Sequence, residues 1–303
     1  MEKIQKENST INALWIGTQL SALELLTIQS FLSHGHRFVL WIYYDMETKI
    51  PSDVQLKDAN EIIPANKIFR YKYKDQFGHG KGSLAGFSDI FRYKLLYERG
   101  GWWVDMDVTC LKPLDFEEPY VFRPHHDMPV VGNMIKCPPK SELMKYCFER
   151  ASIEVDEKNR DWHLPIQILN DGIEKYNLSG YIKNFTNPES FYELRKLIIY
   201  PIEIPEDWYA IHWINEEWRR NNIDKGYCKT GSALYQLYAA NKVELLEFGK
   251  RKANKNFRKV YFPFAVVKSP LLAVRFLWNK YVAGKWGYVD YYLKKYFKSN
   301  RKK

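Results

Sequence analysis

Two aspartates one residue apart, Asp105 and Asp107, close a run of large apolar residues, Trp102-Trp103-Val104. On a strand, residues two apart point to the same face, so their carboxylates would lie side by side. Two carboxylates that close repel unless a cation sits between them, and oxygen donors suit Mg²⁺ or Mn²⁺. Such an ion can neutralise a diphosphate and turn it into a better leaving group. Asp-x-Asp alone arises by chance about once in a chain of this length. A solvated turn is the plain alternative, so the surroundings must decide.

The elements around the pair favour chemistry. Residues 83–99 carry two stripes at helical spacing: Leu84, Phe87, Phe91 and Leu95 form one, and Ala85, Ser88, Asp89 and Arg92 form the other. Polar side chains aligned on an otherwise apolar helix need partners. Gly100-Gly101 ends that helix just before the strand that delivers the acids. Upstream, residues 12–16 read as a strand, 20–33 as a helix and 37–43 as a second strand, the opening of an α/β domain. Downstream, helices are expected over 141–153 and 166–177, strands over 197–202 and 208–213, and a closing helix over 232–247.

Charge divides the chain in two. The net charge is +10, yet residues 250–303 hold 16 Lys and Arg against one acid, Asp290, which leaves the rest of the chain net acidic. We therefore place a catalytic domain over 1–250 and a basic, aromatic-rich segment over 251–303. The segment interleaves cations with Phe262, Phe264, Trp278, Tyr281, Trp286 and Tyr288. It is too often interrupted to span a bilayer, and it suits an anionic membrane surface. A soluble helical cap packed on the domain is the other reading. No motif points to nucleic acid. Cys110, Cys137, Cys147 and Cys228 form no CxxC pair, so a zinc site is not expected. The opening MEKIQKENST has no apolar core of a signal peptide, which points to the cytoplasm, on the inner face of the membrane.

The run SDIFRYKLLYERGGWWVDMDVTCLKPLD resembles the sugar-binding region of DXD-motif glycosyltransferases of the glycosyltransferase 32 type. That group holds capsule and polysaccharide sugar transferases, initiating mannosyltransferases and α1,4-galactosyltransferases, with the glucosylating clostridial toxins as distant relatives. ALWIG at 13–17 is similar to the family's opening strand. Gly132-Asn133 is similar to the segment that approaches the donor sugar, and WYAIHWINEEWRR is similar to the late block that returns to the site. The chain departs from many relatives at Trp102-Trp103 and at His163-Leu164-Pro165.

The resemblance implies a GT-A type nucleotide-sugar-binding fold with a mostly parallel central sheet, and sugar transfer with retention at the anomeric carbon. It implies a nucleotide-sugar donor, a UDP-sugar such as UDP-galactose being the leaning, and a saccharide acceptor, lipid-linked in capsular or surface polysaccharide assembly. It assigns the metal, Mn²⁺ or Mg²⁺, to Asp105, Asp107 and His212. It assigns donor contacts to Trp15, Gly17, Ser88, Asp89, Arg92, Asn133, His212 and Trp218. Five of them have a plainer alternative: Trp15 and Trp218 as packed core, His212 as a satisfied strand histidine, and Asp89 with Arg92 as an ion pair one helical turn apart. A non-catalytic saccharide or membrane-surface binding protein on the same fold is the rival to an enzyme.

Overall fold

A computed structural model describes residues 10–76, 80–125, 128–245 and 249–266. The strands are β1 (Ile11–Trp15), β2 (Phe38–Ile42), β3 (Gln55–Asp58), β4 (Gly101–Val104), β5 (Val108–Cys110), β6 (Val121–Pro124), β7 (Val130–Cys137) and β8 (Ala210–His212). The helices are α1 (Ala22–Ser33), α2 (Ala85–Arg99), α3 (Glu142–Glu154), α4 (Leu164–Lys175), α5 (Phe191–Ile199), α6 (Asn215–Arg220), α7 (Ala233–Ala240) and α8 (Lys250–Val266).

Six strands form one sheet in the order β3-β2-β1-β4-β7-β6, and β5 pairs with β8 in a small second sheet. β3, β2, β1 and β4 run parallel, and β7 is antiparallel to both β4 and β6. The mixed α/β architecture with its mostly parallel sheet is the one the sequence implied. Its faces obey the two-residue period of a strand. Ile11, Ala13, Phe38, Leu40, Trp102 and Val104 pack with Ile28 and Phe31 of α1. Leu14, Val39, Trp41 and Trp103 pack with Phe87, Phe91 and Leu95 of α2. A third cluster joins α5, α7 and α8 around Trp213 and Trp218.

The chain goes from β1 outward to β2 and β3, then returns to place β4 on β1's other side. A crevice opens at the carboxyl ends of parallel strands where the order reverses in this way. Trp15 and Asp105 lie at the carboxyl ends of β1 and β4 respectively. α1 starts from a capping box of Ser21 and Glu24 and braces the segment between β4 and β5. Thr27 Oγ1 donates to the Met106 carbonyl at 3.0 Å, and Ser30 Oγ accepts from Cys110 N at 2.9 Å. Two buried hydroxyls on one helix thus hold the turn after β4 and the β5 strand that follows it.

Several expectations change. The strand expected over 197–202 is the end of α5, because Ser190 caps a helix whose Phe191, Leu194, Leu197 and Ile198 recur at helical spacing. The closing helix stops at Ala240 rather than 247. β3, β6 and β7 had no counterpart in the sequence reading. Asp105 and Asp107 do not share a strand face, because β4 ends at Val104 and a turn carries both acids. α8 starts at Lys250 and packs Asn256 and Val260 into the domain. The aromatic residues beyond Val266 lie outside the described residues.

Gly100 joins α2 to β4 with φ +64, and a Cβ there would lie 2.4 Å from Pro139 N. Strained backbone and a collision with main chain act together, so Gly100→Ala should cost about 2–4 kcal/mol of stability. Urea denaturation of the two proteins should show the loss as a lower midpoint.

Candidate active site

The acids converge through the turn, not the pleat. Ligand atoms of Asp105, Asp107 and His212 lie within 4.8 Å of one another. His212 arrives from β8, whose register sets it opposite Val108, and Asn187 fixes its backbone on both sides. Asn187 Oδ1 accepts from His212 N at 2.7 Å, and Asn187 Nδ2 donates to the His212 carbonyl at 3.1 Å. Two oxygens and one imidazole nitrogen fit Mn²⁺ well and Mg²⁺ acceptably. Among the described residues, Asn215 Oδ1 and Arg92 Nε are buried without a hydrogen-bond partner, and both residues line the cavity. Buried polar atoms without partners beside a cavity are open to a polar ligand.

Each aspartate has its own cation. Arg92 Nη2 pairs with Asp105 Oδ1 and Arg92 Nη1 with Asp89 Oδ1, both at 2.8 Å. The guanidinium also lies 5.0 Å over the Trp103 ring, whose Nε1 donates to Asp105 at 2.7 Å. The ion pair one turn apart is therefore real, and Arg92 spans from it to the turn. Asp107 Oδ2 lies 3.2 Å from His212 Nε2 and accepts from the Asn215 amide at 2.6 Å.

Burial governs the charges. It raises the Asp89 carboxyl to about 6, with Arg92 opposing and Asp105 adding to the rise. It also raises Asp105, against Arg92 and together with Asp107. For Asp107, burial pushes up, but His212, the Asn215 amide and Lys225 outweigh it and hold the carboxyl below the ordinary range. His212 shows the same contest with opposite sign. Burial lowers it, while Glu189 and Asp107 prevail and carry it to about 10. A metal ion binding at Nε2 would replace that proton.

The cavity measures about 470 Å³, within the range of about 300–1,000 Å³ typical of small-molecule sites. Trp15 stands half-buried on its wall, with Nε1 donating to the Gln19 carbonyl at 3.1 Å. Gly17 closes on the same ring, since a Cβ there would meet Trp15 Nε1 at 3.3 Å. Ser88, Asp89, Arg92, Asn133 and His212 line the cavity too. Trp218 does not. It is fully buried in the third cluster, donating Nε1 to the Trp213 carbonyl at 2.9 Å and meeting Phe191 edge-on, so it is core and not a donor contact.

The sequence reading missed Glu189 and Arg123. Glu189 Oε1 lies 2.8 Å from His212 Nδ1, and its other oxygen pairs with Arg123, which is 1% exposed. No spacing signal links residues 123, 189 and 212, and a lone Glu before a helix-capping Ser reads as a surface residue.

Residues 28–123 match the family model of the glycosyltransferase sugar-binding region containing DXD motif. The matched segment runs from within α1 to β6 and includes Asp89, Arg92, Asp105 and Asp107. It supports a sugar transferase. No curated protein matches the chain. Among solved structures, the chain is similar to PaToxG Glycosyltransferase, at 12% identity and TM-score 0.39 over 86% of this chain and 90% of that one. It is also similar to a cysteine-to-serine double mutant of a transferase, at 11% identity and TM-score 0.37 over 56% of this chain and 85% of that one.

His212 has a folded-state value of about 10 against an ordinary 6.5. The stabilisation it contributes is fully present below 6.5 and is lost as pH rises through 10. The melting temperature of the metal-free protein should therefore fall across that window. His212→Gln should show a flatter profile in the same window by scanning calorimetry in EDTA.

Proposed function

We propose that this chain is a metal-dependent, retaining hexosyltransferase that moves a sugar from a nucleotide-sugar donor, a UDP-hexose such as UDP-galactose, to a saccharide acceptor. The observation that carries the reading is the meeting of Asp105, Asp107 and His212 within 4.8 Å at one wall of a cavity that Trp15 and the Asp89–Arg92 pair also line. A divalent ion held by those three residues would supply charge neutralisation for the donor's diphosphate. Trp15 offers a face for the base. Asp89 offers a carboxylate for sugar hydroxyls, and Arg92 fixes Asp89 and Asp105 relative to each other. Such a site works by positioning and by charge stabilisation rather than by a strong base. In front-face retention, the leaving phosphate itself takes the acceptor proton.

The test is donor hydrolysis across a panel of UDP- and GDP-sugars with Mn²⁺. EDTA should abolish turnover, and Asp107→Ala should lower it about 10²–10³-fold, as loss of a main charge stabiliser does. Full activity in EDTA would remove the metal from the mechanism. Tight donor binding with no turnover in any condition would identify a binding protein instead.

The acceptor in this proposal is lipid-linked, as in capsular or surface polysaccharide assembly, and the enzyme lies peripherally on the inner face of the membrane. No helix among the described residues is long and apolar enough to cross a bilayer. α8 presents Arg251, Lys252, Lys255 and Arg258 to solvent while Asn256 and Val260 face the domain. Near a charged bilayer each such cation contributes about 1 kcal/mol. The full chain should float with anionic liposomes and release in high salt. Replacing these four cations by Glu should shift the protein toward the soluble fraction, and unchanged flotation would rule out α8 as part of the docking face.

A further inference from the structure

Glu189 and Arg123 play no part in the reading above, yet both converge on His212. Arg123 Nε donates to Thr186 Oγ1, Nη2 donates to the Asn187 carbonyl at 2.8 Å, and Nη1 pairs with Glu189. One buried guanidinium thus holds a loop of four residues, 186–189, in a fixed shape. That loop grips His212 twice: Asn187 holds its backbone, and Glu189 faces its ring at Nδ1. The Asn133 side-chain amide stands 2.8 Å from the same nitrogen, and beside a protonated Nδ1 it presents its oxygen there. The opposite ring nitrogen, Nε2, faces Asp107 and the candidate metal position.

An imidazole that binds a metal through one nitrogen must keep its proton on the other, and the group that receives that proton fixes both tautomer and ring direction. Glu189 is paired with Arg123, so it is ionised and can only accept at His212 Nδ1. We propose that Glu189, anchored by Arg123, is the positioning residue that locks His212 with Nδ1 protonated and the Nε2 lone pair aimed at the metal site. This inference rests on the metal-binding reading of Asp105, Asp107 and His212. It adds a carboxylate–histidine–metal relay ending on a buried arginine. Arg123 also reaches the Asn133 side-chain amide on β7 at 3.5 Å, so the same buried guanidinium ties the loop to the strand beside His212.

The test is Mn²⁺ affinity of the full chain, read by electron paramagnetic resonance without donor or acceptor. Glu189→Gln keeps the side chain's size and removes its charge, and it should weaken Mn²⁺ binding about 10–100-fold. Equal Mn²⁺ affinity in the variant and the wild type would overturn the proposal and leave Glu189 a structural residue. Absence of Mn²⁺ binding in the wild type would instead remove the metal reading beneath it. A second measurement stands whether or not the variant folds. In Mg²⁺-loaded wild-type protein labelled with ¹⁵N-histidine, with His212 assigned by His212→Gln, the proton should sit on Nδ1. A proton on Nε2 would overturn the proposal.

Discussion

Asp105 and Asp107 occupy one small volume because each is held by a separate cation. Arg92 holds the first and His212 the second, and neither cation lies on the turn that carries the acids. Two like charges in a region of low polarity would otherwise repel and draw protons. The surrounding architecture serves this arrangement. α2 is aligned so that Arg92 reaches across to the turn, α1 bonds the turn's backbone from below, and β8 pairs with β5 so that His212 arrives opposite Val108.

The result is a line of alternating charge through the domain: Asp89, Arg92, Asp105, then Asp107, His212, Glu189 and Arg123. Each member is wholly or largely buried, and each ion is costly to desolvate alone. Removing any one of them takes a charged partner from its neighbour. The gap in the line is between Asp105 and Asp107, the one place where two anions are adjacent. That is where a divalent ion would complete the alternation.

Much of this was readable from the chain. Two strands, two helices and the acid pair in the first hundred or so residues announce themselves by period and by the Gly100-Gly101 stop. The stripe of Asp89 and Arg92 was visible because polar residues on an apolar helix stand out. The parts that stayed hidden depend on long-range pairing. β7, VVGNMIKC, is buried on both faces and carries Gly132, Asn133 and Lys136, so it shows no alternation. Glu189 and Arg123 are far apart in sequence, and only a folded chain brings them together. Trp218 was misplaced because an aromatic residue at helical spacing looks the same whether it faces a ligand or a core.

The placement of the two cations along the chain has a consequence for synthesis. Arg92 precedes Asp105, so that half of the site can be neutralised as soon as α2 and β4 have formed. His212 and Lys225, which hold Asp107, leave the ribosome only after most of the sheet has been made. The same late segment that neutralises Asp107 also packs against it, because His212 faces its carboxylate, the Trp213 amide donates to its backbone carbonyl and the Asn215 amide donates to its carboxylate. The last third of the domain thus completes a site whose acids are carried by the first two thirds.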